Sequence, residues 1–106
     1  QRAAIDHAVK VEASPRYHAW SSIASARNLE IDAARSHLTA AGSATDEPTR
    51  LIIDRARATL ERAEIVTRVK AAKSTGDAAL DAATAALRLE RFDLAKDLLR
   101  KRDGEE

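Results

Sequence analysis

The scarcity of helix-breaking residues constrains this chain more than any other feature: its 106 residues include three glycines and two prolines. Breaking residues gather with small polar ones at 42–48 and at 74–77. Ser14-Pro15 has the form of a helix N-cap followed by the first helical position. Between these points apolar residues recur every three or four positions, which is the period of an amphipathic helix. The pattern predicts an all-α fold.

The periodic segments predict an antiparallel helical bundle. One apolar stripe runs through 15–41 and another through 47–73, so we expect two long continuous helices that fold back on each other as a hairpin. A short N-terminal helix is expected over 2–12. The segment 77–103 fits either one helix or a helix pair that breaks near residues 90–93.

Alanine dominates the apolar content. Hydrophobic residues make up 44% of the chain, but 24 of them are alanine, which leaves 23 larger side chains for a core. We expect residues 1–106 to form one domain, and the glutamine at position 1 indicates a fragment of a longer chain or a processed chain. The alanine-rich faces of its long helices are larger than one short chain can cover by itself. The function we expect first is therefore a non-catalytic interaction or scaffolding module that pairs with itself or with another protein.

The stretch 83–99 resembles one tetratricopeptide repeat. Ala83 stands where that family has a small residue, Phe92 where it has an aromatic residue near the turn, and Ala95 and Leu99 fall on the second helix. The stretch lacks the family's glycine at the turn, and the chain has no second repeat at a 34-residue period. The resemblance implies a helix pair in this quarter of the chain, and we do not assign the chain to the family.

Charge and composition exclude several classes of protein. The chain has no cysteine, its 18 basic and 17 acidic residues nearly cancel, and it has no apolar run long enough to span a membrane. Charges near the N-terminus interrupt the apolar stretch that a signal peptide needs, which favours a cytoplasmic location. Abundant alanine with more arginine than lysine is usual for GC-rich coding DNA and favours a bacterial source.

No catalytic or metal-binding pattern is present in the sequence. His7, His18 and His37 lie on separate stretches and lack the spacing that lets ligands converge from one helix face. No serine stands in a nucleophile elbow, and the glycines are too far apart for a phosphate-binding loop. We therefore expect no enzymatic activity, no metal, no cofactor and no small-molecule substrate.

Four residues are candidates for contact with a protein partner: Tyr17, Trp20, Arg27 and Phe92. Aromatic side chains supply large contact areas in protein interfaces. Because large side chains are few, we expect Trp20 to serve the core instead, while Tyr17 is open to either role. Arg27 lies within an apolar seam, so it must extend to solvent, pair with an acid of the seam or lie on a surface that another chain completes.

The alternative function is that of a small helical regulator associated with nucleic acid. Its candidate surface is the basic face Arg50, Arg55, Arg57 and Arg62, which could contact phosphates. Acidic residues are interleaved with these arginines, and no residue is placed to read or stack a base. A structural role for the arginines is therefore favoured over nucleic-acid binding.

Overall fold

The computed structural model describes residues 14–73 and 75–102, and within them the chain forms five α-helices and no β-strand. An all-α fold is thereby confirmed. The expected N-terminal helix over 2–12 lies outside the described residues. The helices are α1 (Pro15–Arg27), α2 (Ile31–Ala41), α3 (Glu47–Ala72), α4 (Gly76–Arg88) and α5 (Phe92–Arg102).

Local rules place the helix starts where the sequence indicates them. The Ser14 side chain accepts a hydrogen bond from the Tyr17 backbone N–H, and Pro15 takes the first helical position of α1. The Asp46 side chain accepts from the Thr49 backbone N–H at the start of α3. The long helix expected over 47–73 is confirmed, with its regular part ending at Ala72.

The expectation of one continuous helix over 15–41 is wrong. α1 ends at Arg27, Leu29 adopts a left-handed backbone with φ of 59°, and α2 begins at Ile31 and folds back against α1. The Glu30 N–H donates to the Ser25 carbonyl and the Leu29 N–H to the Ala26 carbonyl, which is the hydrogen-bond pattern of a Schellman motif. These bonds satisfy carbonyls that would otherwise lose their partners at the helix end.

The segment 77–103 is a helix pair, and its turn has the same construction. Glu90 is left-handed with φ of 60°, its N–H donates to the Leu87 carbonyl, and the Arg91 N–H donates to the Ala86 carbonyl. Of the two alternatives that the sequence leaves open, the structure thus shows the broken helix.

The two hairpins have helices of the same lengths. α1 and α4 both have 13 residues, and α2 and α5 both have 11, so Leu29 in the first turn corresponds to Glu90 in the second. Few side chains repeat with them. The pairs that do are Ala24 and Ala85, Arg27 and Arg88, Asp32 and Asp93, Ala34 and Ala95, and Leu38 and Leu99.

α3 is the long helix on which both hairpins pack. Arg16 near the start of α1 donates to the Thr49 hydroxyl near the start of α3, while Arg27 at the end of α1 lines a cavity with Arg62, so α1 runs parallel to the first half of α3. α4 returns along the second half of α3 and ends at Leu89, which lines the same cavity. The two turns therefore meet over the middle of α3.

The core consists largely of alanine with a few large side chains. Alanines of α1, α2, α4 and α5 pack around Leu60, Val66, Leu89 and Leu98 in the main buried cluster. Buried hydroxyls are also satisfied: the Ser22 hydroxyl donates to the Ala34 carbonyl at 2.8 Å and ties α1 to α2. Among the described residues, no buried side-chain nitrogen or oxygen lacks a hydrogen-bond partner.

Candidate functional site

α3 covers the face of the first hairpin that carries Ala19 and Ala26. Both alanines have no exposed surface. Ala19 shares a buried cluster with Ile53 of α3, and Ala26 belongs to the cluster that contains Leu60, seven residues further along α3. Small side chains at these positions let a helix lie close against the hairpin. The first hairpin thus presents a groove, and α3 fills it.

The corresponding face of the second hairpin is open and carries larger side chains. Leu80 and Leu87 of α4 stand where the first hairpin has Ala19 and Ala26, and Leu87 is 48% exposed. On α5 the exposed apolar residues are Phe92 and Leu99, and Phe92 is 66% exposed. We call these four residues the α4–α5 groove: Leu80, Leu87, Phe92 and Leu99.

The α5 members of the groove also have covered counterparts in the first hairpin. Phe92 corresponds to Ile31 and Leu99 to Leu38, and both counterparts are partly buried against the core. Residues seven positions apart are separated by about two helical turns and share a helix face, and the groove residues of both α4 and α5 have this spacing. Phe92, a candidate interaction residue from the sequence, is therefore an exposed member of this apolar surface.

Reciprocal contacts of two arginines join the two turns. The Arg27 guanidinium donates to the Leu89 carbonyl at 3.2 Å and to the Glu90 carboxylate at 2.9 Å. In return, the Arg91 guanidinium donates to the Arg27 carbonyl at 2.7 Å. Pairing of Arg27 with an acid is one of the three expected outcomes, but its expected place in the seam is wrong: the partner Glu90 lies in the turn of the other hairpin.

A local ion pair orients Arg91 for this contact. Its guanidinium also donates two hydrogen bonds to the Asp93 carboxylate, both at 3.2 Å. The hydrogen bond from Arg91 is the main cause that lowers the pKa of Asp93, and the same bond raises the pKa of Arg91. Both groups stay charged at neutral pH.

The four arginines of the candidate basic face lie along two sides of α3. Arg50 and Arg57 line a cavity beside the loop between α2 and α3, where Arg57 pairs with Asp54 at 3.4 Å. Arg55 and Arg62 line the cavity between the two turns. The structure therefore brings these residues together in pairs and not as one continuous stripe.

The expectation that Trp20 serves the core is wrong. Trp20 is 47% exposed, and the Arg55 guanidinium lies over its ring at 6.0 Å from the centroid. At that distance the pair makes a cation–π contact, which holds Arg55 against α1. Core volume near Trp20 is supplied by Ala19 and Ile23, which are buried.

Sequence reasoning missed a histidine pair. Because α2 folds back on α1, the His18 and His37 Nδ1 atoms lie 3.0 Å apart, and the Tyr17 ring packs edge-on against both imidazoles. A hydrogen bond between two Nδ1 atoms requires one to donate and the other to accept. Only knowledge of the turn at 28–30 could have revealed this pair, since nothing in the spacing of the residues indicates it.

Metal and membrane sites find no support in the part of the chain that the structure describes. There, no three histidine or acidic side chains gather closely enough to hold a metal ion. None of the described helices combines the length and the apolar character needed to cross a membrane.

Comparison with protein families, with curated proteins and with solved structures finds no match to this chain. The likeness of 83–99 to a tetratricopeptide repeat thus stays a local resemblance.

Proposed function

We propose that this chain is a non-catalytic helical interaction module that takes a helix into the α4–α5 groove. The observation that carries the proposal is the matched pair of hairpins: one has its groove filled by α3, and the other exposes large apolar residues at the corresponding positions. A helix that covered Leu80, Leu87, Phe92 and Leu99 would bury them as α3 buries the face of α1 and α2.

The energetics favour occupation of this groove. Complete burial of a fully exposed leucine or phenylalanine contributes about 1.5–3 kcal/mol, and these four side chains, which are 37–66% exposed, each gain part of that before the entropic cost of binding is counted. Four such side chains on adjacent helices supply the apolar centre that protein interfaces require. Leu80 and Leu87 are larger than the alanines they correspond to, so each offers a partner more apolar area than Ala19 or Ala26 offers α3.

A second copy of this chain is the partner we propose. Exposed charges of both signs neighbour the groove residues along the two helices: Asp81 follows Leu80 in α4, and Lys96 lies one turn from Phe92 in α5. Because these charges nearly cancel, two copies meet without net repulsion. A symmetric pairing of like surfaces is also the commonest form of association among soluble oligomers.

Sedimentation equilibrium of the whole chain and of two variants tests the proposal. We expect the unmodified chain to self-associate at micromolar concentration, and Leu87→Glu to remain monomeric because it buries a charge in the groove. Leu51→Glu is the matched control, since Leu51 is an exposed leucine of α3 outside the groove. A strict monomer at high micromolar concentration, or equal loss of association in both variants, would contradict the proposal.

A further inference from the structure

The cavity between the two turns has an unusual lining. It has a volume of about 50 Å³ and is bounded by parts of α1, α3 and α4. A cavity of about 10–15 Å³ holds one water molecule, so this cavity has room for a group of a few atoms and not for a large ligand. Its lining residues are Ile23, Arg27, Arg55, Thr59, Arg62, Arg88, Leu89 and Glu90.

Three of the lining arginines form no ion pair with any described residue. Arg27 is paired with Glu90, but Arg55, Arg62 and Arg88 have no acidic partner in the described part of the chain. Most other described arginines do have one, as Arg16, Arg35, Arg57, Arg91 and Arg100 show. The cavity therefore collects positive charge that the protein itself does not neutralise.

Helix ends do not account for these three arginines. α1 and α4 both end at the cavity, and a helix C-terminus attracts cations. However, the carbonyls of 24–26 in α1 and of 85–87 in α4 already accept hydrogen bonds from the backbone of the two turns, and the Arg27 and Leu89 carbonyls accept from Arg91 and Arg27. The guanidinium groups of Arg55, Arg62 and Arg88 are left with donors to spare.

One feature of the structure prepares Arg55 for an anion. The cation–π contact with Trp20 restrains Arg55, which lowers the entropy lost when it binds. The Thr59 hydroxyl, by contrast, donates to the Arg55 carbonyl and is already engaged, so the site depends on the guanidinium groups. Guanidinium groups match the oxygens of a tetrahedral oxyanion with paired hydrogen bonds.

We propose that this cavity binds a single phosphate group, held by Arg55, Arg62 and Arg88. A dianion suits the charge of the lining, in which four arginines face one glutamate. Because the cavity lies between three helices, the bound phosphate joins both hairpins to α3. The site is separate from the α4–α5 groove and does not depend on self-association.

Phosphate titration at constant ionic strength tests the proposal. Thermal unfolding and the fluorescence of Trp20, the single tryptophan, report binding of inorganic phosphate, with sodium chloride as the reference salt. We expect a saturable rise in Tm and a saturable fluorescence change, because a ligand that binds the folded state stabilises it. A Tm response that does not saturate, or that chloride reproduces, would overturn the proposal.

Variants distinguish a binding role from a structural one. Arg62→Gln and Arg88→Gln should each weaken phosphate binding at least about tenfold, which corresponds to one charge-assisted contact. Arg68→Gln, the same change on the same helix at an arginine outside the cavity, should leave the affinity unchanged. Glu90→Gln should tighten binding because it removes the opposing carboxylate. If Arg68→Gln weakens binding as much as Arg62→Gln, the site proposal fails.

Two further ligands identify the source of the phosphate. Methyl phosphate that binds as well as inorganic phosphate would support a site for the phosphate group of a larger small molecule, while weaker binding would support inorganic phosphate itself. A short DNA duplex tests instead for binding through an extended basic surface. The phosphate-site proposal fails if the duplex binds more tightly than either phosphate ligand and loses as much affinity from Arg50→Gln as from Arg62→Gln.

Discussion

Arg27 and Arg91 are the residues on which the junction of the two hairpins depends. Each guanidinium reaches a backbone carbonyl at the turn of the other hairpin, and Arg27 adds the ion pair with Glu90. Hydrogen bonds from a charged donor to a carbonyl hold their geometry better than surface ion pairs between two flexible side chains. The junction is therefore specific although its side chains are partly exposed.

Loss of the Arg27 donors should weaken the fold. We expect Arg27→Met, which keeps an unbranched apolar side chain, to lower the free energy of unfolding by about 1–3 kcal/mol, because it removes hydrogen bonds from a charged and partly exposed donor. Urea unfolding monitored by circular dichroism measures the change. Arg57→Met is the control, because it removes only an exposed pair with Asp54. Equal losses in the two variants would show that the junction carries no special stability.

Asp46 should make the stability of the fold sensitive to acid. The Thr49 hydroxyl and then the Thr49 backbone N–H donate to its carboxylate and lower its pKa in the folded state. A lowered pKa means that the ionised group stabilises the fold above the unfolded-state pKa of about 3.9, and that this contribution is lost as the pH falls through the folded-state pKa.

We therefore expect Asp46→Asn to be less stable than the unmodified chain at neutral pH, and the difference to shrink below about pH 4. Urea unfolding at several pH values measures both curves. Asp81→Asn replaces an exposed aspartate that has no side-chain partner among the described residues, so its difference from the unmodified chain should be small throughout. A difference for Asp46→Asn that stays constant with pH would refute the role of the charge.

Local chemistry explains which residues could be placed from the sequence. Ser14 and Asp46 cap helices because short oxygen-bearing side chains satisfy free N–H groups, and that rule needs no knowledge of the tertiary fold. The exposed position of Trp20 could not be predicted from such a local rule. Scarcity of large side chains suggested a core role, but alanines fill the space beside it and leave the indole half exposed.

Helix ends in this chain often lack glycine. α1, α3 and α4 are each followed by a residue of positive φ, and these residues are Leu29, Lys73 and Glu90. A side chain in the left-handed conformation costs about 1 kcal/mol relative to glycine, so each end stores some strain. Leu29 offsets that cost by packing against the core, and Glu90 by pairing with Arg27.

Lys73→Gly should stabilise the protein by up to about 1 kcal/mol, because Lys73 is exposed and has no ion-pair partner among the described residues to offset its strain. Thermal and urea unfolding measure the gain. Glu90→Gly relieves the same kind of backbone strain but removes the acidic partner of Arg27, so the gain in stability should be smaller or absent. Destabilisation by Lys73→Gly would contradict this account of the helix end.

The absence of glycine also explains why the break at 28–30 could not be predicted. The apolar stripe of 15–41 continues in phase across the break, and Asn28, Leu29 and Glu30 all occur in helices. What ends α1 is tertiary: the chain gains more by folding α2 back onto α1 than by extending one helix. The loop 42–46, which begins with Gly42, carried the usual signal and was predicted correctly.

At the scale of the whole molecule, two like hairpins lie end to end on one long helix. α3 serves the first hairpin as the helix that fills its groove, while α4 of the second hairpin packs beside α3 and leaves the outer groove open. The repeat was invisible in the sequence because the two hairpins share few side chains and are not spaced by the 34-residue period of a helical repeat array.

The α4–α5 groove could be anticipated only in part. Phe92 was a candidate from the sequence, but Leu80 and Leu87 have the helical spacing of ordinary core residues. Which helix face is covered depends on where α3 runs, and its path is set by contacts that are distant in sequence. The arginine cavity has the same origin, since α1, α3 and α4 each supply part of it.

Reactivity of introduced thiols tests the central claim, that one groove is filled and its counterpart is open. The chain has no cysteine, so single variants at matched positions report accessibility without background. At concentrations low enough to keep the chain monomeric, we expect Leu80→Cys and Leu87→Cys to react with a maleimide at nearly the rate of the unfolded chain. Ala19→Cys and Ala26→Cys should react at least about a hundredfold more slowly, because α3 must open first. Equal rates at the two sets of positions would contradict the arrangement.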